Sequence, residues 1–450
     1  MALDDLKELI TISDGSIKIN DVSKMRERMD SLVYEAVTEV DEERKNGLFV
    51  LIKEIAKAGG VIPASIQSLY ERMGRDYPGF TVPAMNIRGL TYDVCRTVVK
   101  KVQELNVGAF IFEIAKSEIG YTNQRPLEYA AVTCAAAFRE GYEGPVFIQG
   151  DHFQLARKKF HADPSAEMES VKKLVREAVE AEFYNIDIDA STLVDLDQSA
   201  TRDQQRPNFE STAEIAKLIR EIEPEGVTVS IGGEIGEIGG KNSNPDELRA
   251  YLDGFREVFT GGKGLSKLSV QTGTSHGGVV LPDGSLAKVS IDFDTLKVLS
   301  ELARQEYGLS GAVQHGASTL PEDAFHMFPE VGASEVHLAT GFQNIIYDSK
   351  HLPGDFRNRV YDYIRTELAS ERKEGQTEEQ FIYKTRKKGF GPLKKEWWDL
   401  PPDVKVPIMK ELEAKFELLF RELKVVNTRD TVKDSVTPRI IKKDLPGNIL

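Results

Sequence analysis

Three histidines in this chain close short apolar runs and stand beside glycine. Phe147-Ile-Gln-Gly-Asp151-His152, Leu268-Ser-Val-Gln-Thr-Gly-Thr-Ser-His276 and Gly311-Ala-Val-Gln-His315 share that build, while Val227-Thr-Val-Ser-Ile-Gly-Gly-Glu234 ends in a carboxylate. Such runs read as buried parallel strands, which puts three imidazoles, an Asp and a Glu at strand ends. Three His with a carboxylate make a divalent-metal shell. Taken singly, each His reads as an ordinary core or loop residue; together, at the same end of their strands, they point to one shared metal. Of the other four, His161, His326 and His351 sit in helical or loop contexts, and His337 lies within a later strand, facing either the site or the core.

Asp151 adjoins a proposed ligand. Neighbouring strand residues point to opposite faces, so both enter one site only if the chain turns as it leaves the sheet. There Asp151 either transfers a proton or orients an imidazole. Glu234 opens a glycine-rich acidic loop in which Glu237 is a supporting residue. Gly316-Ala-Ser318-Thr319 and Thr340-Gly-Phe342 follow the seventh and eighth strands. In barrels this quarter often holds phosphate on backbone N–H groups; two plain tight turns are the competing reading. Neither loop carries Lys or Arg, so N–H groups rather than a charge clamp are expected to bind.

The elements that must position these groups are legible as alternation. Apolar runs at 81–86, 108–115, 146–152, 185–191, 227–234, 268–276, 311–318 and 335–342 alternate with helical segments. Eight such units predict a parallel (β/α)8 TIM barrel over residues 79–348. A doubly wound sheet would carry a glycine-rich dinucleotide turn after its first strand, and Asn86-Ile-Arg-Gly-Leu90 is not one. Residues 1–78 read as a helical N-terminal extension. Residues 349–450 read as a helical C-terminal extension, in which Ile408, Leu412, Phe416, Leu419 and Leu423 share one helix face.

The chain has 450 residues and a formal net charge of -14, which argues against nucleic acid or an anionic membrane as partner. Two cysteines, Cys95 and Cys134, make no disulfide framework. The first residues show no basic segment followed by an apolar one, and no run is long enough to span a membrane. A cytoplasmic protein is expected.

The order of the motifs resembles the class II, metal-dependent ketose-bisphosphate aldolases, the fructose- and tagatose-bisphosphate family. Thr81-Val-Pro-Ala-Met-Asn86 resembles its opening strand, Gly150-Asp151-His152 its Asp-His pair, Glu234-Ile-Gly with Ile238-Gly-Gly its Glu-Leu-Gly…Gly-Gly segment, and Ser275-His276-Gly277 and His315-Gly316-Ala-Ser318 its later His-Gly motifs. The resemblance implies His152, His276 and His315 as ligands of Zn2+ or another divalent metal, with Glu234 as an auxiliary ligand and room for a monovalent cation. It implies Asp151 as the acid/base, Asn86 facing substrate, and Gly277, Gly316, Ser318 and Thr340 around a phosphate. The implied enzyme is an aldehyde-lyase of glycolysis-type carbohydrate metabolism. It would be a homo-oligomer acting on a phosphorylated sugar through a dihydroxyacetone-phosphate enediolate.

Departures are specific. The family's Asn-Ile-Asp-Thr-Asp is here His337-Leu-Ala339-Thr-Gly341, and its acidic loop residues after Gly-Gly are here Lys241-Asn-Ser-Asn244. A metal-dependent sugar-phosphate isomerase or epimerase, or a non-catalytic accessory subunit, therefore stands beside the aldolase reading. A lysine Schiff base is the other aldolase strategy, and no strand-end Lys stands out.

Overall fold

The computed structural model describes residues 5–13, 15–236, 241–273, 281–282 and 291–445. Its centre is a closed barrel of eight parallel strands with helices between them. In chain order these are β1 (Val82–Asn86), β2 (Ile111–Ala115), β3 (Gly144–Gln154), β4 (Asn185–Asp189), β5 (Ser230–Glu234), β6 (Lys267–Val270), β7 (Ala312–Gln314) and β8 (Glu335–Leu338). Each strand pairs with its successor, and β8 returns to β1 from Glu335↔Val82 to Leu338↔Met85. All eight expected strands are present, and the fold is a (β/α)8 barrel.

The strands are built on a period of two. In Asn185-Ile-Asp-Ile-Asp189, Lys267-Leu-Ser-Val270 and Glu335-Val-His-Leu338 polar and apolar residues alternate, so each set takes one face. Ile186, Ile188, Leu268, Val336 and Leu338 belong to the buried apolar core, and each contributes about 1.5–3 kcal/mol on burial. The helices are bounded by local chemistry. Pro245–Val258 starts from Asn244, whose side chain accepts from the amides of Asp246 and Glu247 while Glu247 bonds back to the Asn244 amide.

Residues 1–78 are less uniformly helical than their composition suggests. Besides the helices Val22–Thr38 and Glu42–Ala58 they hold a hairpin, Ile10–Ser13 with Ser16–Ile19, and a strand, Val61–Ala64. That strand pairs in parallel with the start of β3, from Val61↔Gly144 to Ala64↔Phe147. β4 joins β3 only beyond that stretch, from Gln149↔Asn185 onward. Asn185 seals the junction: its amide donates to the carbonyls of Ala64 (3.2 Å) and Ile148 (3.0 Å), and its oxygen accepts from the Ile66 amide (2.8 Å). Four residues with a proline among them carry too little pattern to mark a strand; pairing with β3 makes one.

After β8, the helix Pro402–Glu422 lies on the helix Thr91–Glu104, burying Ile408, Leu412, Phe416 and Leu419 and setting Lys405 3.1 Å from Asp93. It covers barrel surface, as its one-sided apolar pattern predicts. Cys95 and Cys134 are both free and buried. No helix among the described residues is long and apolar enough to cross a membrane.

Asn185→Ala removes three hydrogen bonds to buried backbone groups. We expect it to destabilise the protein by about 2–4 kcal/mol, read as a lower midpoint in urea denaturation. An unchanged midpoint would show that the junction is held by strand pairing alone.

Candidate active site

The carboxyl ends of the strands surround a cavity of about 580 Å³ whose lining includes Asn86, Asp151, His152, His315, Ser318 and Thr340. The obstacle to bringing in both Asp151 and His152 is removed by an irregularity in β3. Pairing with β4 runs Gln149↔Asn185 and Gly150↔Ile186, then resumes at Phe153↔Ile188, so Asp151 and His152 together stand opposite Asp187. The bulge turns at His152, whose φ is +40°, a left-handed conformation that costs a non-glycine residue about 1 kcal/mol or more. Gly150 is required beneath it, because a Cβ there would lie 2.5 Å from the Phe153 ring.

His152 Nδ1 lies 3.1 Å from Glu234 and 3.1 Å from Asp189, and its ring centroid is 4.3 Å from that of His315. The His315 ring in turn lies 4.0 Å from that of His337, tilted by 40°, and sets Nε2 2.8 Å from the Ser269 hydroxyl. The ligand atoms of Asp151, His152 and His315 converge within 4.8 Å, as do those of His152, Asp189 and Glu234. Imidazoles and carboxylates in this arrangement fit a zinc-like divalent cation. Burial works against a charge on His152, but Asp151, Glu234 and Asp189 outweigh it and hold its imidazolium well above the usual range. This corner therefore stabilises positive charge. His276 and Gly277, like Glu237, lie outside the described residues.

Of the proposed phosphate residues, Gly316, Ser318 and Thr340 all line the cavity. The two loops are locked to each other: the Ala339 amide donates to Ser318 Oγ at 2.6 Å, and a Cβ on Gly341 would sit 2.7 Å from the Ser318 carbonyl. Neither loop carries a cation of its own, but Arg88, which follows β1, reaches them from outside. Its Nη1 lies 3.3 Å from Thr340 Oγ1 and 2.8 Å from Gln343, and its Nε 2.7 Å from Glu118. Asn86 donates its amide to the same Glu118.

The floor of the site was not foreseen. Barrel interiors are usually filled by Val, Ile and Leu, whereas here the inward positions are ionic. Lys267 Nζ sits 2.9 Å from Asp187, 2.6 Å from Glu335 and 2.7 Å from Gln149. Gln149 donates to Glu113 (3.1 Å) and Glu335 (2.9 Å), and Tyr70 donates to Glu335 from the helix Gln67–Arg75. His337 faces the site rather than the core. Its Nε2 is 2.6 Å from Glu335, and its Nδ1 lies at ion-pair distance from Glu113 (3.0 Å) and Asp151 (3.2 Å). The polar–apolar alternation of β4, β6 and β8 was the signal for this layer.

Burial tends to raise Glu335, but Lys267 and His337 outweigh it and hold its carboxyl below the usual range. Burial and the neighbouring Glu335 push Asp187 up to about 6 against the pull of Lys267. Burial and the nearby carboxylates of Asp151, Glu335 and Asp187 raise Glu113 well above the ordinary range against the pull of His337. Lys267 is held above its usual value by Asp187 and Glu335 in spite of burial. A lysine kept protonated in this way is a structural cation, not an amine nucleophile.

A profile of the fructose-bisphosphate aldolase class-II family matches residues 76–387. No curated protein sequence matches the chain. Among solved structures, a fructuronate-tagaturonate epimerase from Cohnella laeviribosi is similar at 12% identity and a TM-score of 0.58, over 92% of this chain and 93% of that one. A probable tagatose 6 phosphate kinase from Sinorhizobium meliloti 1021 is similar at 14% identity and a TM-score of 0.52, over 80% and 95%. A fructose-bisphosphate aldolase from Campylobacter jejuni is similar at 16% identity and a TM-score of 0.47, over 82% and 96%.

A Cβ on Gly232 would lie 2.3 Å from Asp187 Oδ1 and 2.9 Å from Lys267 Cε. Gly232→Ala should therefore break a buried pair and destabilise the barrel by about 3 kcal/mol or more, measured by guanidinium denaturation. A wild-type midpoint would mean that the pair has room to relax.

Proposed function

The chain belongs to the class-II fructose-bisphosphate aldolase family, and on that premise we propose that it cleaves or forms a carbon–carbon bond of a ketose phosphate at the barrel mouth. The observation that carries the proposal is the β3 bulge, which brings Asp151 and His152 to one cavity with His315, while His152 also reaches Glu234.

His152, His315 and Glu234, with His276, would hold a divalent cation. Bound there, such a cation supplies Lewis-acid polarisation of the substrate ketone. Asp151 moves the proton of the hydroxyl next to the bond that breaks. His337, 3.2 Å away, holds that carboxylate in position, and the ionic floor holds His337. Asn86, fixed by Glu118, faces the substrate. Gly316, Ser318 and Thr340, with Gly277, take the phosphate on backbone N–H groups and hydroxyls.

One observation favours epimerisation as a second reading. The epimerase fold from Cohnella extends over 92% of this chain, including much of what lies outside the family match. The family's acidic loop and last-strand carboxylates are also replaced. The two readings separate by their products. Cleavage of a ketose phosphate releases an aldehyde and a ketone fragment, whereas an epimerase returns an intact sugar with inverted stereochemistry.

Two variants test the assignment. His152→Ala and His315→Ala should each lower bound zinc to well under one ion per chain by elemental analysis; full retention in both would move the metal elsewhere. Asp151→Asn should keep the metal and lower cleavage by about 10²- to 10⁴-fold. Loss of metal in that variant would make Asp151 a supporting residue of the metal shell instead.

A further inference from the structure

The end of the barrel away from the mouth holds a second cavity, of about 100 Å³. Three parts of the chain build it. Ser65 follows the strand Val61–Ala64, and Gln67 and Ser68 open the helix Gln67–Arg75. Tyr184 immediately precedes β4, and Gly226 lies in the turn before β5. Residues 436–439 of the C-terminal segment close the third side. That segment is tied down around the cavity. Val436 is buried, Lys57 Nζ donates to the Ile441 carbonyl (2.6 Å), and Lys443 pairs with Glu180 (2.6 Å).

The lining carries hydrogen-bonding groups that the fold does not use. Tyr184 is 1% exposed, and its hydroxyl has no hydrogen-bond partner among the described residues. The helix Gln67–Arg75 has no side-chain cap at Ile66. Ser65 Oγ accepts from the Gln67 amide (3.1 Å), and the Ile66 carbonyl accepts from the Tyr70 amide (3.1 Å). The amides of Ser68 and Leu69 between them have no partner among the described residues. They carry the positive end of the helix dipole. Arg439 crosses Gly226, where a Cβ would lie 3.5 Å from its Nε, and it makes no ion pair or hydrogen bond among the described residues. One acceptor stands among these donors. Gln67 Nε2 donates to Glu71 (3.1 Å), so the other end of that amide is the oxygen, which is buried and has no partner among the described residues. Buried polar groups without partners cost free energy unless a ligand satisfies them.

We propose that this cavity binds hydrogen phosphate and that the ion fastens the C-terminal segment to the base of the barrel. The Ser68 and Leu69 amides, the Tyr184 hydroxyl and the Arg439 guanidinium donate to its oxygens. Its one P–OH group donates to Gln67 Oε1. Sulfate carries no proton at neutral pH and lacks that last bond. The cavity is about 100 Å³ against about 580 Å³ at the mouth, which suits a free oxyanion and not a sugar phosphate. The site stands apart from the reaction and does not depend on which bond the enzyme breaks.

The test is hydrogen–deuterium exchange of the full chain in inorganic phosphate, in sulfate and in chloride at one ionic strength. In the wild type, phosphate should slow exchange at residues 66–69 and 436–439, and sulfate should need about a tenfold higher concentration for the same protection. Arg439→Met should raise the phosphate concentration for half-protection about tenfold or more. Tyr184→Phe removes a hydroxyl that has no partner in the fold, so it should also weaken phosphate. Both variants should keep the wild-type unfolding midpoint in chloride. Phosphate protection confined to the loops at the mouth, equal protection by sulfate, or an unchanged half-protection concentration in both variants overturns the proposal.

Discussion

Lys267 is the charge around which the barrel is arranged. It is 1% exposed as a side chain, so it exists as a cation only because Asp187 and Glu335 lie within 2.9 Å. An isolated ammonium in such a place would lose several kcal/mol of hydration. The pairing is therefore a requirement that propagates outward. Gly232 has no side chain because one would displace Asp187. Gln149 bridges the carboxylates, and Tyr70 closes the layer from below.

The same layer supports the chemistry above it. Glu335 holds one nitrogen of His337, and the other nitrogen faces Asp151. Tilted ring contacts then run from His337 through His315 to His152. An apolar barrel interior would leave His337 to choose among rotamers, whereas an ionic one dictates a single ring position. Removing one member of such a network exposes the others to an uncompensated charge. Positioning of Asp151 and rigidity of the fold are in this way one property.

A second arrangement closes the cavity from outside the barrel. Trp397 packs edge-on against Tyr347 and Phe356, and Phe390 lies against both Tyr347 and Trp397. This aromatic cluster fixes the polypeptide that carries Lys387. At the other end of the barrel, Glu182 is held below the ordinary carboxylate range because Lys53 and Lys57 outweigh its burial, and Lys57 also bonds the carbonyl of Ile441. Both ends of the chain are thus tied to the barrel by specific contacts as well as by apolar area.

Much of this was legible before folding. Alternation of strand and helix patterns gave eight strands and hence a barrel, because period two and period 3.6 reflect burial of one face. Histidines and carboxylates at strand ends identified the mouth, because such strands all deliver their ends to one place. Other features were decided only in three dimensions. Val61–Ala64 becomes a strand by pairing with β3, so nothing within four residues could announce it. Asp151 and His152 share a cavity because two residues bulge against one, a register fact that exists only between strands. Arg88 and Lys387 are about 300 residues apart along the chain and line one cavity, with Phe390 docked against Gly89. Local pattern determines which face a residue takes, and tertiary packing determines which residue it meets there.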